Sequence, residues 1–258
     1  MGRGIDVSHS GHVATIEIRR PPLNYSDFAL IRDIADALET IDADALIRAV
    51  VLAAEGKAFC AGANFTSGSQ SVDPDERSRD SGDLYIEAVR ILRNRKPIVA
   101  AVHGATIGGG LGLAMAADFR VTCPEARFSA NFTRLGFHPG FGLTVTLPEV
   151  IGRTKAALMF YTSRRVTGED AYAMGLADVL VPQAQVRSSA LALANEIAEC
   201  SPLGLLSTRA TMRADLADRV RAALDHELEE QNRLRQTEDF KEGVRATAER
   251  RVPNFQGR

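Results

Sequence analysis

Two short apolar segments govern what this chain can fold into, because each runs directly into a stretch of small residues. Residues 49–53 read "AVVLA" and lead to "GKAFCAGAN" at 56–64, while 97–102 read "PIVAAV" and lead to "HGATIGGGLG" at 103–112. Five or six apolar residues without polar alternation predict strands covered on both faces, as in a parallel sheet. Glycines and alanines just past the strand ends allow close approach of a ligand or of another backbone. Residues 13–18, "VATIEI", alternate instead and predict a strand with one solvated face. That strand stops at Arg20-Pro21-Pro22, because proline has no N–H for the ladder. Ser26 or Asp27 is placed to cap a helix whose Phe28, Ile31, Ile34, Ala35 and Leu38 recur at helical spacing. Further short strands are expected at 119–122 and 178–181. Strands alternating with helices predict an α/β body built from crossover units.

From about Val186 onward the pattern is wholly helical, with Val220, Leu224 and Leu228 forming an apolar stripe flanked by charges. A helical tail of that kind must bury its stripe on the body or on another subunit. The chain therefore divides into an expected core at 1–195 and a helical C-terminal region at 196–258. Residues 66–83, "TSGSQSVDPDERSRDSGD", read as a polar surface loop, with Asp83, Tyr85 and Glu87 following it and able to fold over a pocket.

Composition narrows the function classes. A net charge of −2 gives no reason to expect nucleic acid or an anionic membrane as partner, although basic residues cluster at 90–96 and 245–258. Cys60, Cys123 and Cys200 are three scattered cysteines without metal-ligand or disulfide spacing, so reduced thiols and no metal site are expected. No apolar run approaches the roughly 18 residues needed to span a bilayer. The expectation is a soluble, cytoplasmic protein.

The two small-residue loops carry the chemistry. Each follows a buried strand, and the triplet Gly108–Gly109–Gly110 opens a helix, whose N-terminus presents unpaired N–H groups to negative charge. N–H groups from both loops converging on one carbonyl oxygen would stabilise an enolate or a tetrahedral oxyanion. Cys60 reads as a small buried residue, since no histidine stands in its motif.

In these motifs the chain resembles the enoyl-CoA hydratase/isomerase, or crotonase, superfamily. The resemblance is carried in order by "RPPLN", "GKAFCAGAN", "KPIVAAVHGATIGGGLGLAMAADFRV", "ARFS", "LGFHPGFG", "LPEVIG", "GEDAYAMGLADVLVP" and "TEDFKEGVRATAERRVPNF", which span nearly the whole length. It implies a spiral of ββα turns with a C-terminal helical region that assembles trimers or hexamers. It implies an acyl-coenzyme A thioester as ligand, with coenzyme A as part of the substrate and no tightly bound cofactor. The oxyanion hole falls on the N–H groups of Ala63 and Gly109, and the nucleotide lies beside the 57–63 segment. Lys57, Lys96, Arg250 and Arg251 are the candidates for its phosphates, and Ala61 lines its path.

The resemblance breaks at the reacting end. The two positions where the hydratases carry glutamates are Gly112 and Phe132 here, and neither can act as acid or base. The aspartate of the dienoyl-CoA isomerases corresponds to Gly140. Nearby polar candidates are His138, whose imidazole could serve as a base, and Asn64, Asn131 and Arg134, which could orient a polar acyl group. Asp118 and His103 are expected to be structural. Three functions follow: an acyl-CoA enzyme with a non-standard acid–base group, an acyl-CoA-binding protein without catalysis, and a diketone or thioester hydrolase working through His138.

Overall fold

The computed structural model describes residues 4–65 and 74–258. Strands β1 (Ile5–Ser10) and β2 (Val13–Ile18) form an antiparallel hairpin, with Ile5 opposite Ile18 and Ser10 opposite Val13. Past the prolines, Asp27 caps α1 (Phe28–Ala43), its carboxylate accepting the Leu30 N–H at 2.8 Å. Leu30, Ile31, Ile34, Ala35, Leu38 and Ile41 make the helix's buried face, which is the 3.6-residue periodicity read from the sequence.

The chain then winds in repeated turns, each laying one strand in a large sheet and the next in a small one. β3 (Ala49–Ala54) and β4 (Ala58–Cys60) precede α2 (Pro74–Leu92). β5 (Ile98–Val102) and β6 (Ala105–Ile107) precede α3 (Gly109–Ala116). β7 (Phe119–Thr122) and β8 (Arg127–Ser129) precede α4 (Leu143–Ile151) and α5 (Arg153–Thr162). β9 (Val166–Thr167), α6 (Gly168–Ala173) and β10 (Val179–Leu180) complete the body. The large sheet has the order β1-β2-β3-β5-β7-β10, parallel from β2 onward, and the small one β4-β6-β8-β9. This is the expected crotonase-type spiral of ββα units. α7 (Val186–Ala198) lies against β3, β5 and β7, and every residue of β3 and β5 is buried.

Three helices close the chain: α8 (Pro202–Arg213), α9 (Leu216–Arg235) and α10 (Glu238–Ala248). The apolar stripe of α9 folds back on the same chain, with Val220 and Leu224 fully buried and α9 running along α2 and α4. Buried Glu227 of α9 caps α4, accepting the Gly142 N–H at 2.9 Å and the Thr144 N–H at 3.2 Å. Burial pushes the Glu227 carboxyl above its ordinary range, against those hydrogen bonds.

Asp118 joins body to tail. It accepts the Ile98 N–H at 2.8 Å, Arg209 Nε at 3.0 Å and Arg213 at 3.1 Å, so its expected structural role has a concrete form. Burial would raise its pKa, but the two guanidiniums outweigh that and hold it below the usual carboxylate range.

Position 195/196 lies within α7, which ends at Ala198. One expectation is corrected. The stretch 66–83 is not all loop, since α2 begins at Pro74, and residues 66–73 lie outside the described residues. The sequence of the first turns of α2, "PDERSRDSGD", is charged and has no apolar repeat to mark a helix. The three- and two-residue strands of the small sheet are too short to have a readable period.

Candidate active site

A cavity of about 920 Å³ opens where the two small-residue loops meet. Ala61, Gly62, Ala63 and Asn64 line it from the segment after β4, and Gly108 and Gly109 from the start of α3. The loops touch: a Cβ on Gly62 would stand 2.6 Å from Ile107 O and 3.4 Å from Gly109 N, and one on Gly110 would stand 2.0 Å from Cys60 O. Gly62 also has φ +75°, so only glycine fits both the conformation and the approach. Gly109 is the first helical residue, where the N–H has no intrahelical partner. Ala61 donates its N–H to Leu23 O at 3.0 Å, which anchors the loop to the segment before α1.

The far wall is aromatic. Phe65, Phe132, Phe137 and Phe240 stack edge-to-face with centroids 5.2–6.2 Å apart, and Phe65, Phe132 and Phe137 line the cavity together with Phe141. Such a wall excludes water and strengthens any electrostatic contact made there. Cys60 lies fully buried behind the loop, where burial pushes its thiol up to about 11. That fits a structural residue.

The positions that lack carboxylates are filled by neighbours. A Cβ on Gly112 would lie 2.6 Å from Phe141 Cβ, so the Phe141 ring occupies the space a side chain there would need. A Cβ on Gly140 would lie 2.0 Å from Tyr85 Oη and 2.4 Å from Gln231 Nε2. Tyr85 donates to Gln231 Oε1 at 2.8 Å, and Gln231 Nε2 donates to His138 O at 2.9 Å. Burial, aided by the charge of Glu227, holds the Tyr85 phenol above its usual range, so it stays protonated and acts as a donor at neutral pH. Asp27, the one carboxylate lining the cavity among the described residues, is committed to capping α1 and to Arg20 at 2.6 Å.

His138 is corrected as a candidate base. It does not line the cavity; its Nδ1 lies 2.8 Å from Pro139 O and its ring packs edge-on against His226, centroids 5.8 Å apart. Lys96 is corrected too, for it is 4 % exposed and its ammonium donates to Ile41 O and Asp44 O, closing the C-terminal end of α1. Lys57 is exposed beside β4 and lines neither cavity nor cleft. His103 has a scaffolding contact, its Nε2 lying 3.0 Å from Gly56 O. Asn131 and Phe132 line the cavity, while Arg134, Arg250 and Arg251 line an adjoining cleft. Sequence reasoning missed Gln231, Arg235 and Arg165, which also line the cavity. The first two continue the α9 stripe at positions 231 and 235, so polar residues in register with Val220 and Leu224 were the available signal.

Fold and cavity together define a two-sheet α/β spiral with a backbone-lined pocket at the N-terminus of an inner helix. Residues 8–258 match the family model described as enoyl-CoA hydratase/isomerase. A "Probable enoyl-CoA hydratase" of Bacillus subtilis strain 168 is 33 % identical over 249 residues, covering 95 % of each chain. The enoyl-CoA hydratase EchA19 of Mycobacterium tuberculosis is 31 % identical over 257 residues, covering 98 % of this chain and 96 % of that one. The crystal structure of an enoyl-CoA hydratase/isomerase from Pseudoalteromonas atlantica T6c superposes with a TM-score of 0.85 at 28 % identity, over 98 % of this chain and 100 % of that one. The chain belongs to the enoyl-CoA hydratase/isomerase family.

Proposed function

We propose that the protein binds an acyl-coenzyme A thioester and stabilises its enolate between the N–H groups of Ala63 and Gly109. The observation that carries this reading is the contact between the two loops inside the cavity, with Gly109 N 3.4 Å from where a Cβ on Gly62 would stand. The thioester oxygen would accept both N–H donors, and charge developing on it would be favoured by the α3 N-terminus and by the dry aromatic wall. Hydration by two glutamates has no support, because Gly112 is backed by Phe141 and Phe132 belongs to the wall. Tyr85 and Gln231 are the polar groups nearest the space left at Gly140; the Tyr85 O–H is given to Gln231, which leaves the second amide N–H of Gln231 as the donor for the acyl end. Hydrolysis through His138 has no geometric support. Binding without turnover is the second reading, favoured by Phe141 in the space of the absent side chain.

Gly109→Pro tests the reading, since proline is tolerated at the first helical position and replaces the N–H with a ring carbon. Turnover across an acyl-CoA panel is expected to fall about 10²- to 10³-fold with folding retained. Wild-type activity in the variant refutes the oxyanion hole, and tight acyl-CoA binding without any wild-type turnover selects the second reading. We also propose self-association as a trimer or hexamer, supported by Leu203 and Met212 of α8, which are 79 % and 83 % exposed. Sedimentation equilibrium checks this; a monomer at micromolar concentration excludes it.

A further inference from the structure

We infer that the arginine-lined cleft beside the cavity binds a second carboxylate carried by the acyl group, so that the ligand is the mono-thioester of a dicarboxylic acid. This rests on the reading of the cavity as an acyl-CoA site. The cleft has a volume of about 700 Å³ and is lined by the exposed residues Arg134, Arg164, Arg165, Arg250 and Arg251, with no acid lining it among the described residues. Several guanidiniums elsewhere find carboxylates: Arg90 meets Asp36, Glu39 and Glu87, Arg120 meets Asp178, and Arg219 meets Glu149 and Asp215, while Arg48 and Arg127 donate to backbone carbonyls. Within the cleft only Arg251 does so, through Glu242 and Glu249. Arg134, Arg164, Arg165 and Arg250 have no carboxylate within 4.0 Å among the described residues. Guanidinium cannot lose its proton in a protein, so four of them gathered without a counter-charge form a site suited to a bidentate anion.

The position of the cleft decides which anion. Ile107, Asn131, Arg165 and Thr247 line both spaces. Ile107 precedes the glycine triplet, and Asn131 Oδ1 stands 3.1 Å from where a Cβ on Gly108 would be. The two spaces therefore join beside the proposed thioester carbonyl. The phosphates of coenzyme A lie at the other end of the pantetheine arm, so an anion held this near the carbonyl belongs to the acyl part. The main chain of the wall is fixed: the backbone N–H of Arg134 donates to Ser163 Oγ at 3.1 Å, and Thr133 Oγ1 lies 2.8 Å from the same oxygen. Those bonds tie Arg134 to the segment that carries Arg164 and Arg165.

Calorimetric titration of the full chain with free coenzyme A and two matched pairs, succinyl- against butyryl-CoA and adipoyl- against hexanoyl-CoA, tests the inference. In at least one pair the dicarboxylic thioester is expected to bind about tenfold more tightly or better. An Arg134→Gln/Arg165→Gln double variant, checked for an unchanged melting temperature, should erase that preference while free coenzyme A loses less than about threefold. A preference for neither dicarboxylic thioester overturns the proposal. So does an equal loss for free coenzyme A in the variant, which would make the cleft a phosphate site. The reading of the cavity fails separately, if no acyl-CoA of either kind binds the wild-type chain.

Discussion

A Cβ on Gly112 would fall 2.6 Å from Phe141 Cβ and 2.7 Å from its Cγ, and Phe141 itself has φ +62°. The absent side chain and the unusual backbone belong together: the phenylalanine is held in the left-handed region with its ring over the glycine. Gly112→Ala should therefore destabilise the fold by about 1–3 kcal/mol through overpacking. In a Phe141→Ala background the same change should cost much less, and a double-mutant cycle by denaturant unfolding reads the coupling. Additive effects would show that Phe141 is not what fills the space. A carboxylate restored at 112 alone would likewise have to displace that ring.

Along α9 the helix period brings Val220, Leu224, Glu227, Gln231 and Arg235 toward the body, and four of these, Val220, Leu224, Glu227 and Gln231, are buried. Apolar Val220 and Leu224 were legible in the sequence, because burial of hydrocarbon repeats with the helix period. Gln231 was not legible: its value lies in accepting from Tyr85 and donating to His138 O, contacts across 146 and 93 residues of chain. Gln231→Leu should cost about 1–3 kcal/mol, since it leaves a buried phenol and a carbonyl without partners. Thermal unfolding of the variant checks this, and an unchanged midpoint refutes it. The meeting of the two small-residue loops was readable for the opposite reason, because close approach of backbones demands small residues in consecutive positions. Lys96 and His138 misled because a residue type declares its chemistry but not the direction in which it points.

For the molecule as a whole, body and tail are joined at Asp118, where Arg209 and Arg213 of α8 reach the start of β7. Asp118→Asn leaves two buried guanidiniums without their counter-charge and should destabilise by about 3–5 kcal/mol. The pH dependence has a definite sign. Its folded pKa is lowered, so the contribution is full above the ordinary carboxylate value of about 4 and is lost as pH falls through the lower folded value. Wild-type stability should thus drop more steeply than the variant's between about pH 5 and pH 2, as urea titrations at fixed pH would record. Parallel curves would exclude the linkage.

The cavity also takes walls from both ends of the chain, from Arg20 through Phe28 and from Gln231 through Ala248. On a ribosome, both small-residue loops emerge well before the residues that enclose the space between them. A nascent chain ending near Ala198 carries both loops but only part of the chamber around them. Closure of the cavity therefore waits on α10, made long after the loops that it encloses.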